Sequence, residues 1–127
     1  MKYLLDTQVL LWIFGESDKL SVIATQIIKD QGNSLYVSKA SFWEVAIKVS
    51  IGKLTLPFEL DVLIQETLSN NIEILEIEMS HILKIISLPL HHRDPFDRLI
   101  ISQAMIEDIP VISSDDQFLL YSMERIW

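Results

Sequence analysis

The 127-residue chain contains no cysteine, which excludes disulfides, thiolate metal sites and a cysteine nucleophile. It also lacks any apolar run approaching the roughly 18 residues that a membrane span needs; residues 9–14 form one of its longest. Basic side chains are few, 10 Lys and Arg against 18 Asp and Glu, for a net charge of −8. Phosphate affinity comes from Lys and Arg, so this balance argues against a general nucleic-acid binder. No repeat, linker or low-complexity segment interrupts the chain, and its length suits one domain spanning residues 1–127. An acid arrives at Asp6, too early for a secretory signal, so the expected location is the cytoplasm.

What is abundant is apolar surface. Half the residues are hydrophobic and the mean hydropathy is +0.31. Either much of the chain is buried strand and helix, or a partner covers some of it, with Trp12, Phe14, Trp43 and residues 54–60 as candidates. Periodicity and punctuation predict strands at 2–5, 35–37, 72–77, 110–113 and 125–127. The 72–77 segment alternates with acids, as a half-exposed or edge strand would. Helices are expected from Asp6-Thr7 to Gly15, over 21–30, 38–51, 60–68, 80–86 and 95–108, with a short one from Asp115-Asp116 to about 121. Strands that alternate with helices call for an α/β fold. A mainly parallel central sheet of four to five strands would carry helices on both faces.

In such folds ligands gather at the carboxyl ends of the strands. Asp6 ends the first strand and Asp115 follows the fourth, while Glu44 and Asp97 each lie about a turn into a helix. The four can therefore face one crevice. Each also has a capping explanation. Asp6 and Asp115 suit N-caps, Ser41 to Glu44 fits a capping box, and Glu44 with Lys48 makes an i,i+4 pair. Asp94, ahead of Pro95, suits the cap of a helix that would hold Asp97 in its first turn. Like charges gathered at one sheet edge raise one another's pKa unless cations compensate. Hard Mg²⁺ takes oxygen ligands, so a few carboxylates suffice to hold it. The acidic cluster thus points to metal first and polyanion second. Asp6 and Asp97 are the expected direct ligands, with Glu44 and Asp115 acting through water or orienting a nucleophile, and Ser113 in support. His91 and His92, without a third His or Cys at ligand spacing, do not suggest zinc and are expected to be loop residues. Arg93 and Arg98 can pair with acids or contact phosphate.

In order, Leu4-Leu5-Asp6-Thr7, Ser41-Phe42-Trp43-Glu44-Val45-Ala46-Ile47-Lys48, His92-Arg93-Asp94-Pro95-Phe96-Asp97-Arg98-Leu99-Ile100 and Ile112-Ser113-Ser114-Asp115 resemble a PIN-domain ribonuclease. The type is that of the VapC toxins of bacterial type II toxin–antitoxin systems. The similarity runs from the first strand to Trp127. It implies a metal-dependent endoribonuclease whose acids correspond to Asp6, Glu44, Asp97 and Asp115. It also implies Mg²⁺ or Mn²⁺ as cofactor, a homodimer, and a small antitoxin protein that blocks the site. Gln8 departs from the His or Asn that relatives often carry, but an amide still forms hydrogen bonds, so the geometry is expected to survive. Between Asp115 and Asp116, the family's spacing after Ser113 selects Asp115. The RNA class and the number of ions stay open.

Three other readings compete. An aspartyl-phosphate phosphatase wants a second acid where Gln8 stands. A phosphoacceptor signalling domain wants an adjacent acidic pair after the first strand and a lysine after a late one. A catalytically silent binding module of the same fold would have no need of four convergent acids.

Overall fold

Residues 2–5 carry the alternation that organises the molecule. In β1 (Lys2–Leu5), Tyr3 and Leu5 turn into one buried cluster and Leu4 into another, as successive strand side chains must. A strand buried on both faces belongs at the middle of a sheet. In the computed structural model, which describes residues 1–127, β1 lies between β2 (Ser34–Ser38) and β4 (Val111–Ile112). The remaining strands are β3 (Ile72–Leu75) and β5 (Arg125–Ile126), and the order is β3-β2-β1-β4-β5 with every pairing parallel. β3 is an edge strand, as its acids predict, although it stops at Leu75 rather than 77.

Helices cover both faces. Against the Tyr3–Leu5–Val37–Ile112 cluster pack α1 (Thr7–Gly15), α2 (Val22–Lys29), α3 (Lys39–Ser50) and α4 (Leu60–Ser69). Their apolar stripes supply Val9, Leu10, Ala24, Phe42 and Leu63. The Leu4–Val111 face is covered by α6 (Pro95–Glu107), which buries six consecutive residues, Leu99 to Ala104, and packs on α5 (Met79–Ile85). The two polar members of that run, Ser102 and Gln103, donate to the carbonyls of His81 and Glu76, while Gln103 Oε1 is buried without a partner. His81 itself is buried at the start of α5, where its Nδ1 accepts the Glu78 N–H (3.0 Å). No helix is long and apolar enough to cross a membrane.

One local expectation fails. Ser41 and Glu44 form no capping box, because β2 passes directly into α3 and Ser38 is the cap, its Oγ accepting from Ala40 N–H (3.0 Å). Ser41 is therefore buried in the first turn, and Glu44 falls in the second. That shift frees the Glu44 carboxylate for other partners.

Candidate functional site

The chain builds β1, β2 and β3 to one side, then returns to the other side of β1 with β4 and β5. This reversal places the topological switch point between β1 and β4, where such sheets open a crevice at their carboxyl ends. Asp6 stands there at the end of β1, buried, its Oδ1 accepting the Val9 N–H (2.8 Å) as the cap of α1. Across the gap, Ser113 is fully buried after β4, and its Oγ accepts the Asp115 N–H (3.0 Å). Asp115 Oδ1 in turn caps the 3-10 turn Asp116–Leu120 by accepting from Gln117 N–H (2.9 Å).

The other two acids arrive on helices. α3 crosses the crevice with Glu44, whose Oε1 accepts from the Thr7 hydroxyl (2.8 Å) and whose Oε2 pairs with Lys48 Nζ (2.6 Å). The bond to Glu44 raises the pKa of Lys48. α6 begins at the cap Asp94, which accepts from Asp97 N–H (2.9 Å), with Pro95 supplying a turn that lacks a donor. Asp97 thus points from the first turn. All four expected acids line one open cavity of about 570 Å³, together with Asp94, Thr7, Gln8, Lys48 and Lys53. The capping roles of Asp6, Asp94 and Asp115 are real as well; convergence and capping coexist in the same side chains.

Electrostatics separates the four. Burial pushes the Asp6 carboxyl up from 3.8 to about 6; the Ser113 hydroxyl and Val9 N–H pull it down, and Asp115 and Glu44 push it further up. Asp97 is pushed up to about 7, first by burial and then by Asp94, with Glu44 and Asp6 adding and His92 opposing. Asp6 has no cationic partner of its own, whereas Lys48 pairs with Glu44. Carboxylates such as Asp6 and Asp97, gathered in one cavity and not themselves paired with a lysine or arginine, fit a hard divalent ion, which binds oxygen donors and relieves the repulsion. Asp6 and Asp97 are the two acids whose charge such an ion would relieve most.

The structure corrects the reading of one histidine. His92 lies in the irregular segment before α6, but its half-buried ring turns inward, with Nε2 2.9 Å from Asp97 Oδ2 and 3.4 Å from Asp115 Oδ2. Ligand atoms of His92, Asp97 and Asp115 all lie within 4.8 Å of one another. His91 stays exposed, its ring edge-on to Tyr121. Arg98 pairs with no acid; its guanidinium donates to the carbonyls of Pro89 (2.9 Å), His92 (3.4 Å) and Ile85 (3.4 Å). Arg93 is exposed. Asp116 is turned outward onto Arg125 (2.9 Å), so Asp115 is the acid of the pair that faces the cavity. Thr7 went unnoticed in the sequence except as the neighbour of Asp6, and nothing in spacing signals its bond to a glutamate on another helix.

Residues 3–122 match the family model of the PIN domain. The chain belongs to the PIN-domain family. Its fold is similar to that of VapBC2 from Rickettsia felis bound to a promoter DNA fragment, with a TM-score of 0.72 at 16% identity over 99% of this chain and 98% of that one. The DNA-bound VapBC from Salmonella typhimurium gives 0.72 at 15% identity, covering 99% and 97%. VapBC-5 from Mycobacterium tuberculosis, a toxin–antitoxin system, gives 0.61 at 20% identity, covering 98% and 97%. At these identities the likeness is one of fold. No curated protein matches the chain.

Proposed function

We propose that residues 1–127 form a single PIN domain acting as a Mg²⁺- or Mn²⁺-dependent endoribonuclease, the toxin of a toxin–antitoxin pair. The observation that carries this reading is the convergence of Asp6, Glu44, Asp97 and Asp115 from four separate elements on one cavity. A bound divalent ion would neutralise charge on the scissile phosphate and make an attacking water more acidic. Asp6 and Asp97 hold that ion. Glu44, fixed by Thr7 and Lys48, offers a carboxylate that orients a water by hydrogen bonding. Lys48 and Lys53 on the cavity wall supply the positive charge that an RNA backbone needs beside so many acids.

The partners follow from what remains uncovered. Trp43 is 57% exposed, and Leu83, Ile86 and Leu90 are exposed on and beyond α5. Trp12 is half-buried against Trp127 (5.6 Å), and Phe14 also packs on the core. We assign the open apolar surface to a second copy of the chain and to a small cognate antitoxin, in the cytoplasm.

The test is direct. Purified protein is incubated with RNA and with DNA, with Mg²⁺, Mn²⁺ or chelator, beside Asp6→Asn and Asp97→Asn. Metal-dependent cleavage of RNA, lost in both variants while the fold survives, supports the reading. A wild type that cleaves no RNA with either metal favours a silent interaction module. Mapping 5′ ends of cellular RNA after induction then names the target.

A further inference from the structure

Beside the acid cavity lies a second one, of about 400 Å³, that the four acids leave unused. The two adjoin, since Gln8, Leu11 and Leu54 line both. One face of α1 runs through them. Asp6 caps that helix at the acid end. Gln8, Leu11, Trp12 and Gly15 then follow at the i, i+3, i+4, i+7 spacing that puts residues on one face. Trp12 stands about 9 Å along the helix axis from Asp6, at the usual rise per residue. That is the scale of the nucleotide next to a scissile bond.

The lining changes character along this row. The first cavity carries Asp6, Glu44, Asp94, Asp97 and Asp115. The second carries a single acid, Glu16, which is already paired with Lys19. The rest is mainly apolar: Trp12 of α1, the buried Leu63 of α4, and Leu54, Leu56, Pro57 and Phe58 from the segment joining α3 to α4. A phosphate is costly to desolvate on such a lining, whereas a flat uncharged ring is not. Every nucleobase has such a face, and stacking on aromatic side chains holds single strands in this way. Trp12 is half-buried and packed on Trp127 (5.6 Å between centroids), so its indole is braced before a ligand arrives. The volume is at the small end for ligand pockets, with room for one base rather than for a partner's helix. Gln8 is exposed where the two cavities meet, and its carboxamide can both donate to and accept from the edge of a base.

We propose that the second cavity is a nucleobase subsite. It takes the base of an RNA nucleotide next to the bond cut at the acids, held by Trp12 and the 54–58 segment and addressed at its edge by Gln8. The inference rests on reading the acid cavity as the place of RNA cleavage. It gives a chain with only 10 basic residues a second source of RNA affinity, one that does not depend on phosphate contacts.

The test uses the full chain as wild type, Trp12→Ala and Leu56→Ala, with Mg²⁺ and a short single-stranded RNA in which one abasic nucleotide is moved through the sequence. In wild type, an abasic nucleotide at one position beside the cut should lower kcat/KM on the order of 10-fold or more. The penalty should largely vanish in both variants, because the base has lost its seat. Leu56 lies outside both core clusters, so Leu56→Ala carries the test should Trp12→Ala fail to fold. Binding without cleavage is read on Asp6→Asn from the Trp12 indole ¹H–¹⁵N signal, which should move with the RNA but not with an all-abasic strand of the same length. A penalty that stays whole in both variants, or no penalty beside the cut in wild type, overturns the subsite and leaves the nuclease. A wild type that cleaves no RNA, while the Trp12 signal still tells RNA from the abasic strand, overturns the nuclease reading and leaves the base site. A Trp12 signal that ignores RNA and moves with a leucine-rich helical peptide gives the cavity to a protein partner and overturns the proposal.

Discussion

Two halves of the same cavity treat their carboxylates in opposite ways. On the α3 side, Glu44 has a protein partner for each oxygen, the Thr7 hydroxyl and the Lys48 ammonium. On the side where β1 meets α6, Asp6 is buried and Asp97 half-buried, neither is paired with a lysine or arginine, and both are held well above the usual carboxylate range. The first half is finished as folded. The second stores repulsion that only an added cation or proton relieves. Stability and function are therefore in tension at Asp6 and Asp97 but aligned at Glu44.

The largest break in this contrast is Asp6→Asn. Holding Asp6 at about 6 rather than 3.8 corresponds to a cost on the order of 3 kcal/mol for its buried charge. Asparagine removes that charge and remains a good N-cap. The variant should melt several degrees above wild type in chelator at pH 7.5, yet lose Mg²⁺ binding and RNA cleavage by more than the roughly 100-fold expected for a supporting residue. A variant that is both destabilised and active would remove the distinction between the two halves.

The pH dependence sharpens it next. Asp6 and Asp97 have folded-state pKa values raised to about 6 and about 7. Between about pH 4 and 7 the folded protein binds more protons at these groups than the unfolded chain, so their contribution to stability falls as pH rises. Metal-free protein should therefore lose stability between about pH 4 and 7. Mg²⁺ should restore it at the upper end, because only the ionised acids hold the ion. Its apparent affinity should drop as pH falls through 7. Melting curves at several pH values, with and without Mg²⁺, check both slopes.

How much of this was legible in the sequence depends on chain distance. The five strands, the parallel sheet and the edge position of β3 follow from periodicity, which is a local signal. Asp6, Asp97 and Asp115 were legible because each sits where a strand ends or a helix begins, and the fold class says such places converge. Glu44 was found, but with the wrong neighbour, because Ser38 rather than Ser41 caps α3. His92 is a loop residue as expected, but its inward turn is illegible for a different reason. Its orientation is fixed by the Tyr121 hydroxyl, 29 residues away, and by Arg98 reaching back to three carbonyls. No spacing rule encodes a loop held by a tyrosine from another turn.

Lys48→Met moves Glu44 toward the condition of its neighbours, by leaving a carboxylate that is 5% exposed without its cation. Lys48 is itself 45% exposed at the side chain, so the loss should be well below the 3–5 kcal/mol seen for fully buried pairs, on the order of 1 kcal/mol. The informative quantity is the difference between metal states. Mg²⁺ should raise the melting temperature of Lys48→Met by more than that of wild type, since the cation now relieves a third acid. An equal rise in both proteins would mean that Glu44 stands apart from the metal.

Thr7→Val is the finest cut. The Thr7 oxygen lies within hydrogen-bond distance of both Glu44 Oε1 (2.8 Å) and Ser41 Oγ (2.9 Å), and it is buried. Valine keeps the shape and deletes the hydroxyl, leaving one Glu44 oxygen and the Ser41 hydroxyl to find other partners. The expected cost is about 1–2 kcal/mol of stability, the usual consequence of stranding a buried acceptor. Thr7→Ser should restore most of it. Because Asp6 and Asp97 keep their surroundings, Mg²⁺ affinity should change little in either variant. Cleavage should fall in Thr7→Val and return in Thr7→Ser if Glu44 orients a water. A Thr7→Val protein that binds Mg²⁺ normally and cleaves RNA at the wild-type rate would show that the α3 half serves the fold alone.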